Sequence, residues 1–192
     1  MELESQISRL AGLGLPLAAG RTVDDLLHSL PRDLFERRPY SLLVSVLGAE
    51  VEREPWGRPF CDRAWSFDTE CVHGPGAYVR IARELCRTAG RPEAFTDLRD
   101  HVDLGTGEAW IAYTVDGRRQ RWTAEVCDDW ADTMVAGYLM DGLERGAEDG
   151  RRFWTRDGGQ TMSLYWLHPD DAHAVSALLA PAQPLVPALG HP

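Results

Sequence analysis

A group of carboxylates surrounds Trp130, and carboxylate oxygens are the ligands that hard cations prefer. The group consists of Glu125, Asp128, Asp129 and Asp132. Four such side chains close together could coordinate Mg²⁺ or Ca²⁺. The same residues stand where a helix is expected to begin, and Asp128 or Asp129 would be an ordinary N-cap there. The spacing therefore leaves a metal site and helix capping as alternatives.

A second group combines carboxylates with a thiol and an imidazole. Asp68, Glu70, Cys71 and His73 are residue types that bind zinc. Structural zinc sites normally use closely spaced cysteine pairs, and the cysteines of this chain do not supply such pairs. The alternative is that Asp68 and Glu70 brace the helix expected near Pro75, since carboxylates are favoured at a helix N-terminus.

His101 and Asp103 form a third candidate on a predicted strand. Residues two apart in a strand project from the same face, so an imidazole and a carboxylate would emerge together. A general base with a carboxylate partner has this arrangement. A solvent-facing strand has it too, and the pattern alone does not separate the two interpretations.

Motifs of nucleophilic or cofactor-dependent enzymes are absent from the sequence. The chain has no Gly-x-Ser-x-Gly elbow, and its Gly-x-Gly segments lack a P-loop lysine or a dinucleotide fingerprint. All twenty basic residues are arginine, and the lack of lysine excludes Schiff-base chemistry and lysine-bound pyridoxal phosphate. We therefore expect no cofactor, and a protein that is not an enzyme is the favoured interpretation.

The formal net charge of −10 bears on the class of partner. A nucleic-acid-binding protein needs a cationic surface against phosphates, so the acidity argues against that class. It permits a basic protein partner through long-range attraction, and the alternative is that the acidic surface only maintains solubility. Pairing of two copies through a sheet edge is compatible with all the functional hypotheses given below.

We expect a cytoplasmic protein without a membrane segment. No apolar run approaches the roughly 20 residues that cross a bilayer. The first residues, Met1-Glu2-Leu3-Glu4, are acidic and lack the basic region of a secretory signal. The four cysteines are then expected to be free thiols.

The second half of the chain predicts helices alternating with hairpins. Asp116-Gly117 between two apolar runs is a strong hairpin signal. Helices are predicted from about His73 to Ala89, Trp130 to Arg145 and Pro169 to Leu179. Strands are predicted over Thr96–Leu104, Glu108–Val115, Arg118–Val126, Arg151–Thr155 and Gln160–Leu167, with a turn around Asp157-Gly158-Gly159. Short hairpins imply antiparallel pairing, so the class is α+β, a mostly antiparallel sheet of about five strands with helices packed on it.

The first half predicts helices without strands. Thr22 with Asp25 three residues later is a capping-box pattern, and Tyr40 to Leu47 is a further helical stretch. Prolines and glycine predict a loop over 49–66. We accordingly expect a helical N-terminal segment (1–48) packed on the main body, an α+β domain (49–180) and a flexible Pro-rich tail (181–192).

Several short motifs resemble a pattern among small bacterial proteins, some of which are immunity proteins, the cytoplasmic inhibitors of antibacterial toxins. The motifs are Phe67-Asp68-Thr69-Glu70, Tyr78 opening a helix, Asp128-Asp129-Trp130-Ala131-Asp132, and Gly159-Gln160 in a late hairpin, and the resemblance covers about residues 64–179. It implies a non-enzymatic role, tight binding of one cognate toxin. An acidic inhibitor would suit a basic nuclease toxin.

The favoured hypothesis is thus a protein-binding module that contacts a basic partner through an acidic surface containing aromatic side chains. Its candidate binding residues are Asp68, Glu70, Asp128, Asp129, Trp130 and Asp132. The alternative is a metal-dependent hydrolase that uses the carboxylates near 128–132 or those near 68–73. A small-molecule sensor or a structural subunit of a larger assembly is a third hypothesis, based on tryptophans along the predicted strands.

Overall fold

The computed structural model describes residues 1–156, 159–179 and 183–190, which form seven helices and seven strands. The helices are α1 (Leu3–Ala11), α2 (Val23–Ser29), α3 (Arg32–Arg37), α4 (Ser41–Leu47), α5 (Ala77–Thr88), α6 (Thr133–Arg145) and α7 (Pro169–Leu178). The strands are β1 (Ala64–Asp68), β2 (Thr96–Asp103), β3 (Glu108–Val115), β4 (Arg118–Ala124), β5 (Arg152–Arg156), β6 (Thr161–Leu167) and β7 (Val186–Pro187). Among these helices, none is both long and apolar enough to cross a membrane.

The strands form two antiparallel sheets, which confirms the α+β class with helices at the N-terminal end. One sheet has the strand order β1-β6-β5-β7 and the other the order β2-β3-β4. The sequence predicted about five strands, and the structure adds β1 and β7. Strand β1 starts inside the stretch predicted to be a loop, and β7 pairs with β5 within the segment expected to be a loose tail.

The four-stranded sheet lies between two apolar clusters. Phe153 and Trp166 belong to the cluster on one face, and Trp154 and Tyr165 belong to the cluster on the other. Successive residues of a strand point to opposite faces, so β5 and β6 are covered on both sides. Helices α1–α4 and α7 supply the second cluster together with this sheet.

Helices α5 and α6 occupy the space between the two sheets. Helix α5 contacts β1 on one side and β2 on the other, and α6 contacts β5 and β4 in the same way. Trp122 of β4 stacks on Tyr138 of α6 with ring centroids 3.9 Å apart. The face of the three-stranded sheet that points away from α5 and α6 is solvent-facing and carries exposed arginines.

Local sequence signals account for several elements. Asp116 and Gly117 both have positive φ (49° and 73°), as a two-residue type I′ hairpin turn requires, and they join β3 to β4. Thr22 and Asp25 form the predicted capping box at the start of α2. Apolar and polar residues alternate along β4, as in a strand with one buried face, and Ala124 is buried while Arg121 is exposed.

Other boundaries differ from the prediction. Helix α5 begins at Ala77 and α6 at Thr133, each later than expected, and α3 was not predicted. Asp157 and Gly158, from the predicted turn between β5 and β6, lie outside the described residues, as do residue 180 and, in the predicted tail, residues 181–182 and 191–192.

Candidate functional site

The structure brings together the two acidic segments that lie about sixty residues apart in the sequence. We define segments 68–73 and 127–132 together as the acidic surface. The Ala131 amide donates to the Thr69 carbonyl oxygen at 2.7 Å. The two segments also form an isolated antiparallel bridge. Backbone hydrogen bonds therefore fix the relative position of their side chains.

Glu70 and Asp129 lie on the paired parts of these segments. The Gln160 side-chain amide donates to Glu70 Oε1 at 2.8 Å. His73 Nδ1 lies 3.4 Å from Asp129 Oδ2, and the Asp129 side chain is 39% exposed. Glu70 thus contacts an uncharged amide and Asp129 lies beside an imidazole. Neither carboxylate residue is buried.

Asp68 and Asp128 are exposed at the ends of the same segments. The Glu70 amide donates to Asp68 Oδ1 at 2.9 Å, which stabilises a local turn. The alternative that Asp68 braces the N-terminus of α5 is wrong, because the carboxylate there belongs to Asp100. Gly76 N donates to Asp100 Oδ1 at 2.7 Å and Val79 N donates to Asp100 Oδ2 at 3.1 Å.

Asp132 has a structural role at the start of α6. Its Oδ1 accepts a hydrogen bond from Met134 N and its Oδ2 accepts one from Glu125 N, both at 2.8 Å. It is the N-cap of the helix, so the predicted capping by Asp128 or Asp129 is wrong. Among the candidate binding residues, Asp132 is therefore the one whose two carboxylate oxygens both accept hydrogen bonds from backbone amides.

A buried tyrosine fixes Asp132 from the core side. The Asp132 amide donates to the Tyr78 hydroxyl at 3.1 Å. Burial raises the pKa of the Tyr78 phenol, so the hydroxyl stays protonated at neutral pH. Tyr78 lies on α5, and this contact ties the acidic surface to the packed helix layer.

Two large apolar side chains are exposed beside these carboxylates. Trp130 is 37% exposed and Met134, in the first turn of α6, is 61% exposed. The apolar pattern of the predicted helix places both on one side with Val135, Leu139 and Leu143. The structure buries those three residues and leaves Trp130 and Met134 exposed. Aromatic and methionine side chains are enriched at protein interfaces.

The metal alternative gains no support from the described part of the chain. In residues 1–156, 159–179 and 183–190, no three His, Cys, Asp or Glu side chains are placed to hold one metal ion. Burial raises the pKa of the Cys71 thiol despite the nearby Arg80.

The third candidate pair has structural roles too. His101 stacks against Trp110 with ring centroids 5.9 Å apart. Asp103 Oδ1 accepts hydrogen bonds from the amides of Thr106 and Gly105, and these bonds lower the pKa of its carboxyl. Both side chains are therefore explained by the β2–β3 turn and the sheet face.

Sequence reasoning missed one functional candidate, the solvent-facing side of the three-stranded sheet. Arg99 and Arg121 each stand directly opposite Ala112, one on either neighbouring strand. The signal was present as alternate arginines in β4, but the register that aligns them with β2 is a property of the folded sheet.

Comparison of the chain with protein-family models, with curated proteins and with solved structures gave no significant match.

Proposed function

We propose that this protein is a non-enzymatic binding module that captures a basic protein partner on its acidic surface. The observation that carries the proposal is the backbone pairing of segments 68–73 and 127–132. This pairing gathers Asp68, Glu70, Asp128 and Asp129 around the exposed Trp130.

The composition of the surface fits protein recognition. Its carboxylates supply long-range attraction and orient an arginine- or lysine-rich partner during encounter. Trp130 and Met134 supply the apolar contact area that interface anchors provide. The rest of the molecule adds to the attraction, because the chain carries a formal charge of −10.

The resemblance to bacterial immunity proteins makes the proposal more specific. On this reading the partner is a cytoplasm-active toxin domain with a cationic cleft, such as a nuclease, and the chain blocks that cleft stoichiometrically in the cytoplasm. A cleft built for phosphates carries clustered positive charge, to which a compact set of carboxylates is complementary.

Capture from the native host tests this proposal when charge-matched variants are compared. The test variant combines Glu70→Gln, Asp128→Asn and Asp129→Asn, which preserve side-chain size. The control variant combines Asp24→Asn, Glu52→Gln and Asp116→Asn, three exposed acids outside the acidic surface. We expect wild type and control to retain the same basic partner in a 1:1 complex and the test variant to bind it at least about tenfold more weakly.

The immunity role is tested by a separate growth measurement. The captured partner, expressed alone, should arrest growth of a bacterial host, and co-expression of wild type should restore growth. Equal partner binding by the test and control variants would refute the role of the acidic surface. A partner that is harmless when expressed alone would refute the immunity role and leave the binding module standing.

A further inference from the structure

The solvent-facing side of β2-β3-β4 is a basic, aromatic face on an otherwise acidic protein. Its cross-strand row places Arg99, Ala112 and Arg121 side by side. The next row toward the β3–β4 turn contains Thr114 beside Arg119. We call the cavity over these rows the arginine cavity, and it has a volume of about 420 Å³.

The small side chain at the centre explains the cavity. Ala112 is flanked by arginines on both neighbouring strands. Its side chain is a single methyl group, so space is left above it between the two long arginine side chains. Neighbouring strands are about 4.8 Å apart, which puts the Arg99 and Arg121 Cα atoms roughly 10 Å from each other. Two guanidinium groups at that spacing can converge on one anionic group.

An irregularity in β2 keeps Arg99 on this face. The register shifts between Thr96 and Arg99, and Asp97 has a positive φ of 53°. Strand β2 has one more residue than β3 over this interval, which is a β-bulge. A bulge changes the face to which the following side chains point. Without it, Thr96 and Arg99 would point to opposite faces of the sheet.

An aromatic group borders the cavity. The Trp110 ring lines it, and the Arg121 guanidinium carbon lies 4.2 Å from the centre of that ring. The guanidinium and indole together form a cation–π pair. Flat groups of this kind are surfaces on which a planar ligand ring stacks.

The arginines of this face, Arg99, Arg119 and Arg121, have no ion-pair partner among the residues that the structure describes. A cavity of about 600 Å³ near the end of α5 differs, because three acidic residues share its lining with four arginines. Two of those arginines are ion-paired, Arg87 with Glu84 and Arg151 with Asp149. The excess of arginine over acidic side chains is therefore larger in the arginine cavity, with three against one, than in the other cavity, with four against three.

We propose that the arginine cavity binds a free nucleoside monophosphate, with the phosphate held by the arginines and the base stacked at the Trp110–Arg121 pair. Three arginines and one aspartate, Asp97, leave a local charge of about +2, and a phosphate monoester carries about −2 at neutral pH. The volume lies at the small end of the range for ligand sites, roughly 300–1,000 Å³.

The charge distribution selects a mononucleotide over a nucleic-acid strand. A strand must run beyond the cavity, where the net charge of −10 repels further phosphates. A single nucleotide fits within the basic face. The arginine cavity and the acidic surface consist of different residues and carry opposite charge. The nucleotide proposal therefore does not depend on the protein partner proposed above.

Calorimetric titration of the full chain tests the proposal. The probes are adenosine and guanosine 5′-monophosphates, the corresponding nucleosides, inorganic phosphate and a twelve-nucleotide single-stranded RNA. We expect saturable 1:1 binding of at least one monophosphate, tighter than its nucleoside and tighter than inorganic phosphate. Arg99→Gln and Arg121→Gln should each weaken this binding about tenfold, the size of one lost bidentate contact.

Arg118→Gln is the matched control. It removes the same charge from β4, but Arg118 pairs with the buried Val115 and so belongs to the opposite side of the sheet. Its affinity should equal that of wild type, and thermal melts should show that all three variants are folded. Absence of saturable binding, equal binding of inorganic phosphate, tighter binding of the RNA, or an equal loss in Arg118→Gln would each overturn the proposal.

Discussion

Asp25 is a buried carboxylate whose ionisation is linked to folding. Its side chain is 3% exposed, and Oδ1 accepts hydrogen bonds from Arg53 at 2.6 and 3.0 Å. Oδ2 accepts from the amide and hydroxyl of Thr22. Burial acts to raise the pKa of Asp25, but Arg53 and Thr22 outweigh it and lower the pKa from 3.8 to about 2.

The direction of this shift predicts an acid sensitivity. Because the folded-state pKa is below the unfolded value, ionised Asp25 stabilises the fold at neutral pH, by about 2 kcal/mol. The contribution is lost as the pH falls from 3.8 toward 2. In urea unfolding, Asp25→Asn should be less stable than wild type by about this amount at pH 7 and by roughly half of it at pH 3.

The exposed neighbour Asp24 supplies the control for this measurement. Asp24→Asn removes the same charge from the same helical turn without removing a buried ion pair. Its stability relative to wild type should be nearly the same at both pH values. A difference for Asp25→Asn that does not shrink on acidification would contradict the assigned pKa direction.

Caps show which residue roles can be inferred from sequence. Thr22 and Asp25 were predicted correctly because both partners of a capping box lie within four residues. Asp100 caps α5 from a strand that follows the helix, and no local spacing signals such a contact. For α6, the sequence placed the cap at Asp128 or Asp129, because several adjacent aspartates satisfied the same preference, and the cap is Asp132.

At the scale of elements, the end of α4 makes a close contact with β1. The Ser66 amide donates to the Gly48 carbonyl oxygen at 2.7 Å. A Cβ atom at position 48 would lie 2.1 Å from Ser66 Oγ and 3.1 Å from Ser66 Cβ. Gly48 has a φ of −79°, which suits any residue, so the requirement for glycine comes from this contact.

Gly48→Ala should therefore destabilise the protein by about 1–3 kcal/mol, as overpacking does. Adding Ser66→Ala should recover part of the loss, because the nearest clashing atom is removed. Gly12→Ala is the control, since Gly12 ends α1 in a similar conformation and its added Cβ would meet no atom closer than 3.5 Å. Chemical denaturation measures all four proteins, and an equal loss for Gly12→Ala would refute the contact as the cause.

Elements were predictable where their partners are adjacent in sequence. The β3–β4 hairpin has its turn signal and both strands within eighteen residues, and its register follows from the turn. Strand β1 pairs with β6, and Ala64 stands opposite Tyr165 about a hundred residues later. Its five residues follow a Pro- and Gly-rich stretch, so the local pattern indicated a loop. The same limit applies to the acidic surface, whose residues were predictable and whose backbone pairing was not.

The whole molecule is organised around a sheet that is buried on both faces. Trp154, Tyr165 and Leu167 point from this sheet into the cluster that α1–α4 help to form, and each is at most 4% exposed. The Tyr165 hydroxyl also donates to the Val44 carbonyl oxygen of α4 at 3.1 Å. Covering three such side chains contributes roughly 5–9 kcal/mol, which is comparable to the total stability of a domain.

A fragment comprising residues 49–192 should therefore fail to fold cooperatively. It lacks α1–α4, which together with α7 cover one face of the four-stranded sheet, and the part of that face left uncovered should bind a hydrophobic dye and promote association. Thermal melting followed by near-ultraviolet circular dichroism should show no sharp transition for the fragment alone. Addition of a peptide spanning 1–48 should restore the transition and reduce dye binding, because the peptide supplies the missing half of that cluster. A sharp transition without the peptide, with slow amide exchange in β5 and β6, would instead make 1–48 a separable unit whose packing is not required for the sheet.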